Sequence, residues 1–199
     1  MRNTVFGLIC LILFSGSIYA QVSPNPVADA EIRDTDSIRM RSLALEQAKR
    51  EANQLHATVN PKIPEAKFAV IKDDFENIQK LESLIVKTYT AGKKINVDKI
   101  SELALAIKKR AGRLRSNFFD IRDETDVDPP PQDLTRKSVR DLIIDLDNAL
   151  TVFVTSPMFT SPTVVDATEN AKAEVNLKQL IKLSAALNIE ATKLAKALN

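Results

Sequence analysis

Residues 65–118 of the 199-residue chain read EAKFAVIKDDFENIQKLESLIVKTYTAGKKINVDKISELALAIKKRAGRLRSNF. Apolar residues recur at every third or fourth position on both sides of Gly92, which is the spacing of one helix face. Glycine is favourable just past a helix, and Asn96 is a favourable N-cap for the next one. The stretch therefore predicts two antiparallel helices, 65–91 and 96–118. Their apolar stripes are Phe68, Ile71, Phe75, Ile78, Leu81, Ile85 and Tyr89, and then Ile100, Leu103, Ile107, Ala111, Leu114 and Phe118.

Two more stripes of the same kind follow a proline-rich break. The first predicts a helix over 134–155, capped by Asp133 or Thr135. The second predicts a helix over 166–198, which begins with a capping box of Asp166 and Glu169. The inward residues are Val139, Leu142, Ile143, Leu146, Leu150 and Phe153, and then Leu180, Leu183, Leu187, Ala191, Leu194 and Leu198. Four helices with one apolar stripe each predict an all-α antiparallel four-helix bundle with coiled-coil-like packing.

An additional, weakly amphipathic helix is predicted at the N-terminal side, over about residues 36–56. We expect it to pack on the outside of the bundle or to extend from it, because its apolar stripe is thin. The stripe consists of Ile38, Leu45, Ala48, Ala52 and Leu55. Residues 21–35 are polar with two prolines and are expected to form a flexible leader. Residues 36–199 are thus predicted to form a single helical domain, in which helix 36–56 meets a protein partner in the envelope or a second copy.

Residues 1–20 have the layout of a secretory signal peptide. Arg2 gives a positive start, residues 5–14 are uncharged and mostly apolar, and mostly small residues precede Ala20. The apolar run is shorter than the roughly 20 residues that span a bilayer. We therefore expect cleavage after Ala20 and a periplasmic or secreted protein without a membrane span. The single cysteine, Cys10, leaves with this segment, so packing must stabilise the mature protein in place of disulfides.

The residue types that catalysis and cofactor binding require are scarce. His56 is the one histidine of the chain, and no G-x-S-x-G motif accompanies it. One histidine cannot supply a zinc or di-iron site. A haem held by His56 and Met40 or Met158 is disfavoured, since the C-x-x-C-H attachment motif is missing. We therefore expect no enzyme activity, no cofactor and no metal site.

An acidic loop is predicted over residues 120–128. Its five carboxylates are Asp120, Asp123, Glu124, Asp126 and Asp128. Calcium prefers such a density of oxygen ligands, but Pro129 and Thr135 stand where an EF-hand loop needs glycine and glutamate. A solvated loop is the favoured interpretation, and calcium binding by residues 120–128 is left open.

Basic residues crowd the second half of helix 96–118. They are Lys108, Lys109, Arg110, Arg113 and Arg115. Cations suit a helix C-terminus, and the acidic loop follows directly, so neutralisation by that loop is the simpler interpretation. The alternative is that residues 108–115 bind an anion or a small ligand. Nucleic acid is an unexpected partner, because the net charge is only +2 and no aromatic residue interleaves with the basic ones.

The function that these patterns favour is that of an exported, non-catalytic interaction or structural protein of the cell envelope. Two alternatives stay open. The first is anion or small-ligand binding through the basic segment 108–115, and the second is a periplasmic chaperone-like or stress-related helical protein. No motif in the sequence points to a particular family.

Overall fold

The computed structural model describes residues 26–55, 65–91, 95–119, 130–160 and 167–198. They form α1 (Pro26–Leu55), α2 (Glu65–Thr90), α3 (Val97–Phe119), α4 (Val139–Val154), α5 (Pro157–Thr160) and α6 (Ala167–Leu198), with one 3-10 turn at Leu134–Arg136. No strand occurs in these ranges, and the predicted all-α helical bundle is confirmed. Within the same ranges, no helix combines the length and the apolar character that a membrane crossing requires.

The helices α3 and α6 form the most extensive contact of the bundle. Toward one end, the Asn188 side-chain amide donates to the backbone oxygen of Ser101 at 3.0 Å. Toward the other end, Arg115 pairs with Glu174. The two helices are therefore antiparallel. Both bury small residues, which lets their axes approach closely. These residues are Ala104 and Ala111 in α3, and Ala173, Ala185, Ala186, Ala191 and Ala195 in α6.

The direction of α4 determines the topology. Phe75 and Glu82 of α2 face Phe153 and Asp147 of α4, so α2 and α4 are antiparallel. The short connection from α2 to α3 makes that pair antiparallel as well. It follows that α3 and α4 run in the same direction, and that the end of α3 and the start of α4 lie at opposite ends of the bundle.

The short helix α5 contributes an aromatic side chain to the core. Phe159 is buried, and its ring centroid lies 5.2 Å from that of Phe75, 5.4 Å from that of Phe153 and 5.9 Å from that of Phe118. These three rings come from α2, α4 and α3. The sequence predicts only a break between α4 and α6, whereas the structure places a core residue inside that break. Pro157 suits the first position of such a helix.

The helix α1 packs on the outside of the bundle, as its few apolar residues predict. It lies antiparallel to α2. Ile38, Leu45 and Ala48 are buried. Polar contacts flank them: Arg41 donates to the Gln79 side chain at 2.6 Å. The helix begins at Pro26 and not near Asp36, so it includes residues 26–35 of the segment predicted as a flexible leader. Proline is favourable at the first helical position, and residues 27–35 contain no helix-breaking residue.

The start of α4 differs from the prediction. The N-cap is Ser138, whose hydroxyl accepts from the Asp141 backbone N–H at 3.1 Å, and neither Asp133 nor Thr135 has that role. Leu134 is the apolar residue upstream of this cap. It is buried in the preceding 3-10 turn and is therefore not part of α4. The predicted N-cap Asn96 is confirmed by its bond to the Lys99 N–H. The predicted stop at Gly92 and cap at Asp166 lie outside the described residues.

Two predictions about packing are wrong. Leu194 and Leu198 of α6 are exposed, because Thr192 already faces Ser101 near the start of α3 and the last residues have little to pack against. The second concerns Gly112 inside α3, where the sequence favours a close helix crossing, with a tolerated glycine as the alternative. A Cβ atom added at Gly112 would meet no atom within 4 Å, and the neighbouring Ala111 is the buried residue.

Candidate functional site

The structure does not bring the five basic residues of segment 108–115 together. Arg110 and Arg113 turn toward α2, and Arg115 turns toward α6. Lys108 and Lys109 are exposed on the outer side of α3. The segment therefore divides into three arginines that bind carboxylates of the same chain and two lysines that face solvent.

Asp74 binds two of these arginines. Its carboxylate is fully buried in α2. Arg113 donates through Nε to Asp74 Oδ2 at 2.7 Å and through Nη2 to Oδ1 at 2.5 Å. Arg110 donates to the same Oδ1 at 3.0 Å and to Asp73 Oδ2 at 2.8 Å. A buried carboxylate requires such pairing, because removing it from water is costly. This contact therefore joins α2 to α3.

Arg115 has a comparable role between α3 and α6. Its side chain is 4% exposed and donates to Glu174 Oε1 at 3.1 Å, while its Nε has no acceptor. Burial opposes ionisation of Glu174, but hydrogen bonds from Arg115 and Lys178 lower the pKa of this carboxyl. The three arginines are thus paired with carboxylates of α2 and α6, and the predicted neutralisation by the acidic loop stays untested. The loop itself, residues 120–128, lies outside the described residues.

Anion binding by the basic segment stays a prediction, and it now depends on Lys108 and Lys109. Among the described residues, neither lysine has an ion-pair partner within 4 Å. The three arginines would have to leave buried or half-buried carboxylates in order to bind an external anion. Two exposed lysines offer an anion fewer cationic side chains than the five-residue cluster that the sequence suggests.

The described residues contain no group of three or more His, Cys, Asp or Glu side chains that is placed to hold a metal ion. His56 and the acidic loop lie outside the described ranges, so the calcium alternative is untested. Met40, one of the methionines considered for haem, is 66% exposed on α1, and Met158 lies partly buried against the core.

A cleft of about 450 Å³ lies between the C-terminal half of α1 and the start of α2. Its charged groups are already paired with one another. Lys49 donates to Glu65 at 2.5 Å and lies 4.1 Å above the ring of Phe68, and Lys72 pairs with Glu46. The cleft therefore functions as a polar seam that fixes α1 on α2.

A buried acid lies farther along the same seam. Glu82 of α2 is 6% exposed, and its Oε1 has no hydrogen-bond partner. Burial, then the negative charges of Asp147 on α4 and Asp34 on α1, raise the pKa of Glu82 to about 7, while Arg41 on α1 opposes the shift. The ionised form of this carboxyl is therefore disfavoured at the place where α1, α2 and α4 meet.

Two large apolar side chains are exposed side by side on the outer face of α1. Met40 is 66% exposed and Leu43 is 49% exposed, although the opposite face of the same helix is buried. The two side chains are three residues apart and therefore adjacent on the helix surface. Continuing at the same spacing gives an exposed row, here called the α1 stripe, that consists of Asp36, Met40, Leu43, Gln47 and Arg50. Adjacent apolar residues between polar ends are typical of a small protein contact surface.

We expect Asp74→Asn to destabilise the fold by about 1–3 kcal/mol, because it removes the charge that compensates Arg110 and Arg113 in a buried position. The matched control is Asp73→Asn, since Asp73 is the neighbouring aspartate with a side chain that is 57% exposed. The control should cost under about 1 kcal/mol. Urea unfolding of both variants gives the comparison, and equal losses would contradict the assigned role of Asp74.

Glu82→Gln tests the buried acid through its pH dependence. The folded chain holds a proton on Glu82 up to about pH 7, whereas an unperturbed glutamate loses it near 4.5. The free energy of unfolding of the parent therefore falls as the pH rises from 4.5 to 7, by up to about 3 kcal/mol from this group. The free energy of unfolding of the glutamine variant should not decrease in this way, because its side chain does not ionise.

The two proteins should be equally stable at pH 4 and the variant more stable at pH 8, as measured by urea unfolding at both values. The control is Glu102→Gln, at a side chain that is 70% exposed, and it should show no such divergence. A variant that loses stability at pH 8 would show that ionised Glu82 has favourable partners, contrary to this description.

Comparison of the chain with known protein families, with characterised proteins and with solved structures gives no match. The function proposed below is therefore inferred from the contacts, burial and charges of the described side chains.

Proposed function

We propose that this protein is an exported, non-catalytic interaction protein of the cell envelope, and that it acts through the α1 stripe. The bundle is the scaffold in this proposal, and the outer face of α1 is the contact surface. Residues 1–20 would direct export, in agreement with the signal-peptide pattern of the sequence.

The observation that carries the proposal is the pairing of Met40 and Leu43, both exposed on a helix that is firmly docked by its other face. Arg41 and Ser42 lie between these residues in sequence, point inward and bind Gln79 and Glu76 of α2. The backbone of this turn is therefore held in place. A rigid helix that presents adjacent apolar side chains loses little conformational entropy when it binds another protein.

The polar chemistry of the described residues supports a scaffold role. Asp74, Arg113 and Arg115 are engaged between helices, so their charges stabilise the bundle and do not face a substrate. Ser101, Asn188 and Thr192 bind one another between α3 and α6. These polar groups hold the helices in place, whereas Met40 and Leu43 of the α1 stripe are exposed.

Site-specific photocrosslinking in the cells that produce the protein tests this proposal. A photoreactive amino acid at Leu43 should give a discrete crosslinked product, because this side chain would lie inside the contact. The matched control position is Val152 of α4, which is 54% exposed and lies on another face. It should give no discrete product. Absence of a product at Leu43, or an identical product at both positions, would overturn the proposal.

A further inference from the structure

We propose that the partner of the α1 stripe is a second copy of this chain, paired antiparallel about a two-fold axis at Leu43. This inference rests on the proposed function, because it names the occupant of the same surface. The α1 stripes of the two copies would face each other along their length, with Leu43 of each copy at the centre.

The spacing of the α1 stripe is what suggests a two-fold axis. Asp36 and Arg50 each lie seven residues from Leu43, on opposite sides of it. Met40 and Gln47 lie three residues before and four residues after it. Such alternation of three and four is the spacing of a helix-to-helix seam. The row is therefore nearly symmetric about Leu43 in position, as an isologous contact requires of a surface that pairs with itself.

The charges at the ends of the row determine the direction of pairing. In an antiparallel pair centred on Leu43, Asp36 of one copy lies opposite Arg50 of the other, and this happens twice. In a parallel pair, Asp36 would face Asp36 and Arg50 would face Arg50, which is repulsive. Both side chains can reach across, because Asp36 is exposed and Arg50 is 76% exposed. Arg50 would have to leave its ion pair with Glu46, which is long at 3.7 Å.

The central part of the seam combines apolar contact with an uncharged polar side chain. Leu43 meets its own counterpart, and Met40 of each copy lies beside Gln47 of the other. The flexible Met40 side chain can adapt to the facing surface. With two large apolar residues per copy, the contact is small, so we expect a weak dimer whose population depends on concentration.

Sedimentation velocity over about 1 µM to 1 mM tests the charge pattern on the protein as it is isolated. The parent should shift from monomer to dimer with concentration. Asp36→Arg and Arg50→Asp should each weaken the dimer at least tenfold, because each change places like charges opposite one another at both ends. The double variant Asp36→Arg/Arg50→Asp should restore dimerisation. Thermal unfolding of each variant checks that these exposed substitutions leave the fold intact.

Disulfide trapping tests the register independently in a Cys10→Ser background, which has no other cysteine. Leu43→Cys should form a covalent dimer on oxidation, since the two residues meet at the axis. Asp36→Cys should not, because two copies of residue 36 would lie about 20 Å apart along an antiparallel pair, well beyond the reach of a disulfide. Crosslinking of both variants alike would overturn the register.

The outcomes separate this inference from the proposed function. A protein that stays monomeric throughout the concentration range, or a double variant that fails to recover, overturns the second-copy assignment. If Leu43 then crosslinks to a different protein in cells, the contact surface stands and its occupant is another chain. If Leu43 gives no crosslinked product and no dimer forms, both proposals fail.

Discussion

The packing of Phe159 against Phe75, Phe118 and Phe153 is the contact on which the arrangement of the bundle depends. It joins α5 to three of the long helices at one end of the molecule, where α2 and α4 would otherwise have little contact. Burying one such ring contributes about 2–3 kcal/mol. Because α5 also contacts α1, the same cluster provides part of the surface on which α1 lies. The inner face of α1 is thereby occupied, and its Met40 and Leu43 are directed outward.

The charged residues of the chain have contrasting roles in this arrangement. Asp74 is buried with two arginines and links α2 to α3, whereas Glu82 is buried on the same helix, where Asp147 and Asp34 raise its pKa and Arg41 lowers it. The first arrangement favours ionisation and the second opposes it. Since Glu82 lies where α1 meets α2 and α4, we expect loss of its proton to weaken the surface that holds α1. The polar seam of α1 therefore combines firm contacts toward one end with a pH-sensitive position farther along it.

The sequence predicts the helices well and their arrangement poorly, for physical reasons. Apolar stripes and the Asn96 cap depend on residues three or four positions apart, so they can be recognised locally. The burial of Phe159 depends on rings more than 40 residues away in α3 and more than 80 away in α2. The partners of Arg113 and Arg115 are similarly remote, so the basic segment looked like one surface cluster when it is divided among three faces. The exposed row of α1 could be read from the sequence only after its buried face was known.

The central claim is that α1 is docked by one face and presents the other. Hydrogen–deuterium exchange of the backbone amides of residues 38–48, compared with those of α2, tests it most directly. Docking through Ile38, Leu45 and Ala48 predicts protection in this segment that approaches that of residues 71–85, because exchange then requires the helix to leave the bundle. Exchange at the rate of an unstructured chain would contradict the account, since the α1 stripe would then have no rigid support.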